Sequence, residues 1–136
     1  MQMKYKYVLY GKPLPLLRPR TSFIKRLIYD PQKIEKEQAQ QQLRLQHKTR
    51  PVIHQPIHLE VTFFMPPPTS MTKTKKAFLY KSPHFKKPDL SNLIKFIEDV
   101  AQGIIFQDDS RIISINAKKL YDEHPRTEFT IHKDNE

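Results

Sequence analysis

The amino-acid sequence predicts an α+β fold, an α/β sandwich in which a small mixed β-sheet packs with two main helices. Two periodicities carry that expectation. Ile57, Leu59, Val61 and Phe63 recur at period two, the signature of a half-buried strand, whereas Leu93, Ile94, Ile97, Val100 and Ala101 recur at helical spacing. The order of segments adds a third observation: strand, helix, strand, long loop, helix, strand, strand.

The first strand is expected over residues 4–10, where Lys4, Lys6 and the tyrosines alternate polar with apolar. Residues 11–20 hold three prolines, so they form a stiff loop, and Lys12, Arg18 and Arg20 make it basic. Asp30 and Pro31 then predict a helix start, with a capping carboxylate before a proline at the first helical position. The helix is expected to run to about Lys48 through residues that favour helix, with Ile34, Leu43 and Leu45 as a thin apolar stripe. A stripe this thin suits an outer position or a partner chain. The second strand, from Pro56 to Met65, stops at Pro66-Pro67-Pro68.

Residues 66–87 are expected to form a basic mobile loop. Lys73, Lys75, Lys76, Lys81, Lys86 and Lys87 are interleaved with Phe78, Tyr80 and Phe85, a composition suited to backbone contacts and to stacking on exposed bases. Pro88 biases Lys87 to an extended conformation, so the next helix starts after it, with Asp89 or Ser91 as cap and Gly103 as terminator. Two strands close the chain, one over residues 111–121 carrying Ile113, Ile115 and Ala117, and one over about 127–132.

Length and charge limit the functional classes. The 136 residues predict one domain spanning the chain. The absence of cysteine excludes disulfides and thiolate metal sites. No apolar run has membrane-spanning length and no secretory signal opens the chain, so a soluble, cytoplasmic protein with no membrane partner is expected. Net charge is +10 but unevenly placed: residues 1–88 carry 18 Lys/Arg against 4 Asp/Glu, and residues 89–136 carry 6 against 10. A basic front of this kind suits a polyanion, and the acidic rear is available for different chemistry.

That chemistry is placed by Lys87-Pro88-Asp89-Leu90-Ser91-Asn92-Leu93-Ile94-Lys95, answered by Asp108-Asp109. One carboxylate stands before a helix, another before a strand, and Lys95 lies one turn inside the helix. Taken alone, each acidic position is an ordinary cap or turn residue. Together, at one edge of a sheet, Asp89 and Asp109 can share a cation. Oxygen ligands without histidine or cysteine favour Mg²⁺ or Mn²⁺. An ion of this kind activates water and polarises phosphoryl oxygens, and Lys95 can offset charge developing on the phosphate.

These residues, continued through Asp99, Gly103, Ser110-Arg111-Ile112 and Lys118-Lys119, resemble the signature of RusA-like Holliday-junction resolvases. The resemblance is by motif over residues 87–119 and architectural elsewhere. It implies a homodimeric, Mg²⁺-dependent endonuclease that cuts four-way DNA junctions with paired, symmetric nicks. By motif position Asp89, Lys95 and Asp109 take the catalytic roles, with Asp108 beside them in the metal set. The family's second aspartate position is occupied here by Ser91, a neutral and weak Mg²⁺ ligand. Glu98 shares its helix face but stands about 10 Å further along the axis, too far for direct replacement. Three readings stay open: an active enzyme with a thinner site, a preference for Mn²⁺, or a protein that binds junctions without cutting. The competing class is therefore a non-catalytic binder of branched or single-stranded nucleic acid. A protein acting only through protein contacts leaves Asp89, Lys95 and Asp108-Asp109 without a purpose.

Overall fold

The computed structural model describes residues 2–24 and 26–134. A four-stranded mixed sheet is built from β1 (Gln2–Tyr10), β4 (Ile57–Met65), β5 (Ile112–Tyr121) and β6 (Arg126–Asp134), in the order β1-β6-β4-β5. Only β4 and β5 are parallel, and the connection between them carries the helix α3 (Leu90–Ala101). The helix α1 (Lys33–His47) joins the first half of the chain to β4. Two smaller elements complete the fold: a hairpin of β2 (Arg20–Ser22) and β3 (Leu27–Tyr29), and a short helix α2 (Lys73–Leu79).

The core lies between one sheet face and the two long helices. The period-two residues Ile57, Leu59, Val61, Phe63 and Met65 of β4 are all buried, and Tyr7, Leu9, Phe129 and Ile131 of the flanking strands join them. From above, α3 contributes Leu93, Phe96, Ile97, Val100 and Ala101, and α1 contributes Ala39 and Leu43. Lys36 joins the two helices, reaching the carboxylates of Asp30 at 2.5 Å and Asp99 at 3.1 Å.

Four expectations are corrected. Helix α1 starts at Lys33 with Gln32 as N-cap, because Asp30 and Pro31 form a turn in which Asp30 Oδ1 accepts the Gln32 N–H. Its buried face is Ala39, Leu43 and His47, whereas Ile34 and Leu45 are exposed. The 66–87 stretch contains α2, whose cap Thr72 accepts the Lys75 N–H at 3.3 Å, and residues 81–84 then bond to β5. Finally, Ile113 and Ile115 of β5 are exposed. A register shift at the start of β5 pairs Ile57 with Ile112 and His58 with Ser114, leaving Ile113 unpaired. Ile115 stands on the same side as Leu59, but on an edge strand.

Candidate active site

Asp89 occupies the N-cap position of α3 in an extended conformation, yet its side chain makes no capping bond. Nor does Ser91 act as the cap. Lys87 takes the Asp89 carboxylate instead, with Nζ 2.8 Å from Oδ1. That hydrogen bond, with the charges of Lys87 and Lys119, holds the Asp89 carboxyl below its ordinary range. Asp89 is therefore an ionised, half-exposed carboxylate at the positive end of a helix. Ser91 and Lys95 are both exposed on α3, in the first turn and one turn further along.

The segment ahead of Asp89 is pinned by a residue for which the sequence suggested no role. Lys119 Nζ donates to the backbone carbonyls of Lys86 and Pro88, both at 2.7 Å. Burial lowers its pKa and Lys87 adds to that, against the opposing pull of Asp89. A signal was present, because Lys119 pairs with Phe63 and so stands on the inward side of β5, where a lysine needs oxygen partners. The same strand holds the incoming chain through Lys81 N–H to Tyr121 O at 2.7 Å, Tyr121 N–H to Ser82 O at 2.9 Å and His84 N–H to Lys119 O at 3.0 Å.

The second acidic position opens β5. Asp108 caps a single 3₁₀ turn (Asp109–Arg111), where its Oδ1 accepts the Ser110 N–H at 3.2 Å. A hydrogen bond between the two side chains lowers the pKa of Asp108 and raises that of Asp109, so Asp109 keeps its proton more readily. Glu98 is the third member of this group. Burial raises its pKa first, the Asp109 charge raises it further, and Lys95 opposes both. Glu98 therefore lies within electrostatic reach of both Asp109 and Lys95.

The predicted set falls into two halves. Asp89 lies among Lys87 and Lys119, and Asp109 lies with Asp108 and Glu98. Among the described residues no group of three or more His, Cys, Asp or Glu is arranged to hold a metal ion. Asp89 and Asp109 are thus not drawn into one metal-holding cluster; what each half offers is hard oxygen donors, the ligand type that Mg²⁺ takes together with water and substrate phosphate.

The cationic residues also divide. The loop bearing Lys12 and Arg18, which leads to Arg20, is fastened to the first turn of α3 by Leu16 N–H to Asn92 O at 2.9 Å. Gln32 locks that loop, accepting the Leu17 N–H at 2.9 Å and donating to Pro15 O at 2.7 Å. Lys86 and Lys87 directly precede Asp89. Lys73, Lys75 and Lys76 project from α2, which buries none of its residues.

An α+β sandwich with acidic groups at the heads of a helix and a strand, behind a cationic surface, has the layout of a nucleic-acid enzyme. The chain belongs to the RusA family of endodeoxyribonucleases, whose model, "Endodeoxyribonuclease RusA", matches residues 10–132. It is similar to "Uncharacterized protein YqaN" of Bacillus subtilis (strain 168), at 28% identity over 94% of this chain and 95% of the relative. It is also similar to "Crossover junction endodeoxyribonuclease rusA" of Lactococcus phage r1t, at 35% identity over 56% of this chain and 53% of that protein. No helix among the described residues is long and apolar enough to cross a membrane.

Proposed function

We propose that the protein is a Mg²⁺- or Mn²⁺-dependent endodeoxyribonuclease that resolves four-way junctions and other branched DNA inside the cell, in recombination, repair or replication. The observation that carries this reading is the Asp89 carboxylate, which is ionised and left uncommitted by the helix it heads. A side chain that capped α3 would have its oxygen occupied by backbone N–H groups; here Oδ1 holds the exposed Lys87 ammonium, a partner that a metal cation can displace.

In this reading Asp89 and Asp109 hold the ion, with Asp108 and Ser91 beside them, and a bound Mg²⁺ or Mn²⁺ supplies Lewis acidity and a more acidic water. Lys95 offsets charge that develops on the phosphate. Lys12, Arg18, Arg20, Lys86 and Lys87 bind the DNA backbone around the site, and Lys73, Lys75 and Lys76 extend that contact. A homodimer supplies two sites for paired nicks at symmetry-related phosphates.

Ser91 favours a second reading, a non-catalytic binder of branched DNA, since a hydroxyl replaces a carboxylate in the first turn of α3. One assay separates the two: cleavage of an end-labelled four-way junction in Mg²⁺ and in Mn²⁺, by the wild type and by Asp109→Asn. The expected result is paired nicks that vanish in the variant while junction binding is kept or tightened, because the change removes a carboxylate that repels phosphate. Tight binding without nicks in either metal supports the second reading, and cutting retained by Asp109→Asn removes Asp109 from the site.

A further inference from the structure

The β2–β3 hairpin exposes apolar side chains that nothing in the proposed nuclease chemistry uses. Phe23 and Ile24 at its tip are 92% and 96% exposed, and Ile28, Leu27 and Tyr29 on its second strand are also exposed. Two three-residue strands paired as Arg20 with Tyr29, Thr21 with Ile28 and Ser22 with Leu27 are a minimal ladder, and an isolated hairpin of this kind gains little from its own contacts. Apolar exposure concentrated on so small an element marks a surface that meets a partner.

Two observations identify the partner. The first is charge. The first 29 residues contain Lys4, Lys6, Lys12, Arg18, Arg20, Lys25 and Arg26, and the first acidic residue of the chain is Asp30. Two copies meeting hairpin to hairpin would set like charges against each other, whereas DNA brings phosphates to them. The second is position. The hairpin begins four residues after Leu16, whose N–H is bonded to Asn92 O in the first turn of α3. The loop that carries it is therefore tied to the first turn of the helix that Asp89 heads.

Resting on the nuclease reading above, we infer that the hairpin is a wedge for the branch point of DNA: Phe23 and Ile24 enter between unpaired or weakly stacked bases, and Arg18, Arg20 and Arg26 hold the adjacent phosphates. Intact duplex resists such entry because unstacking is costly, and a branch point has already met part of that cost. The hairpin is thus the element that selects branched over linear DNA. It does so without reading sequence, since every base offers a stacking face.

The test uses the full chain with Ca²⁺ in place of Mg²⁺, so that binding is read without cutting. Its substrates are a four-way junction carrying 2-aminopurine at the branch and a linear duplex of the same sequence. Wild type should raise the 2-aminopurine fluorescence of the junction as neighbouring bases unstack. F23A/I24A should abolish that rise and weaken junction binding about tenfold, the effect expected for a lost stacking contact, while duplex binding stays within twofold. Phe23→Tyr, which keeps the ring, should retain the signal. Because both tip residues are almost fully solvated, the double variant should keep the wild-type thermal midpoint.

Equal fluorescence and equal junction preference in wild type and F23A/I24A overturns the inference and leaves the nuclease reading intact. A dimer that becomes a monomer in F23A/I24A by sedimentation also overturns it, and assigns the hairpin to contact between copies. Wild type that binds no junction overturns both readings together.

Discussion

Helices α2 and α3 lie on the same crossover between β4 and β5 and differ in almost every physical respect. Five residues of α3 are buried in the core, so its helicity follows from packing against the sheet. None of the seven residues of α2 is buried, it has no acidic residue in its first turn, and Phe78 is 83% exposed. A helix that short is not stable by propensity; it is held by Thr72 and by the anchoring of residues 81–84 to β5. The contrast separates two uses of sequence. One helix positions Asp89, Lys95 and Glu98 rigidly, and the other displays lysines that contribute nothing to the core.

The largest effect that tests this contrast is a truncation inside α3. Leu93 is fully buried one turn from Asp89, so Leu93→Ala should cost about 2–5 kcal/mol through lost burial and the cavity left behind. Urea denaturation followed by circular dichroism checks it. The equivalent change in α2, Phe78→Ala, should leave the midpoint within about 0.5 kcal/mol of wild type. A large loss from Phe78→Ala would mean that α2 packs on something in solution and would break the comparison.

The same division explains what the sequence made legible. Strand β4 and helix α3 were readable because each repeats apolar residues at its own period against a single core. The hairpin and α2 were not, since neither buries an apolar face and no periodicity marks them. Ile34 and Leu45 are exposed, in keeping with the outer position expected of α1, but its buried face of Ala39, Leu43 and His47 mixes types that no apolar stripe marks. Within the site, Asp89, Lys95 and Asp109 were visible as types at a spacing. The association of Glu98 with Asp109, and of Lys119 with the carbonyls before Asp89, depends on how β5 lies beside α3. The register of β5 against β4 fixes where Lys119 falls.

Lys119 gives the intermediate effect. Its two bonds at 2.7 Å are charge-assisted, and no methionine can replace them. Lys119→Met should lower stability by about 1–3 kcal/mol, since two carbonyls lose their donor. If those bonds hold Asp89 in place, cleavage should fall further than junction binding. Thermal unfolding together with separate measurements of binding in Ca²⁺ and cutting in Mg²⁺ distinguishes the two. Equal loss of binding and cutting would mean that Lys119 serves DNA contact instead of the position of Asp89.

The smallest effect on the fold falls on the residues with the most charge. Lys73, Lys75 and Lys76 make no contact with the core, so exchanging all three for Gln should shift stability by less than about 0.5 kcal/mol. DNA binding should respond differently. Each lysine that neutralises a phosphate contributes about 0.9 to the slope of log affinity against log salt. The triple variant should therefore bind junctions more weakly at low salt and with a shallower slope, by about one to three. An unchanged slope would show that α2 does not touch the phosphate backbone. The cationic contact would then be confined to Lys12, Arg18, Arg20, Lys86 and Lys87 around α3, and α2 would be free to meet some other surface.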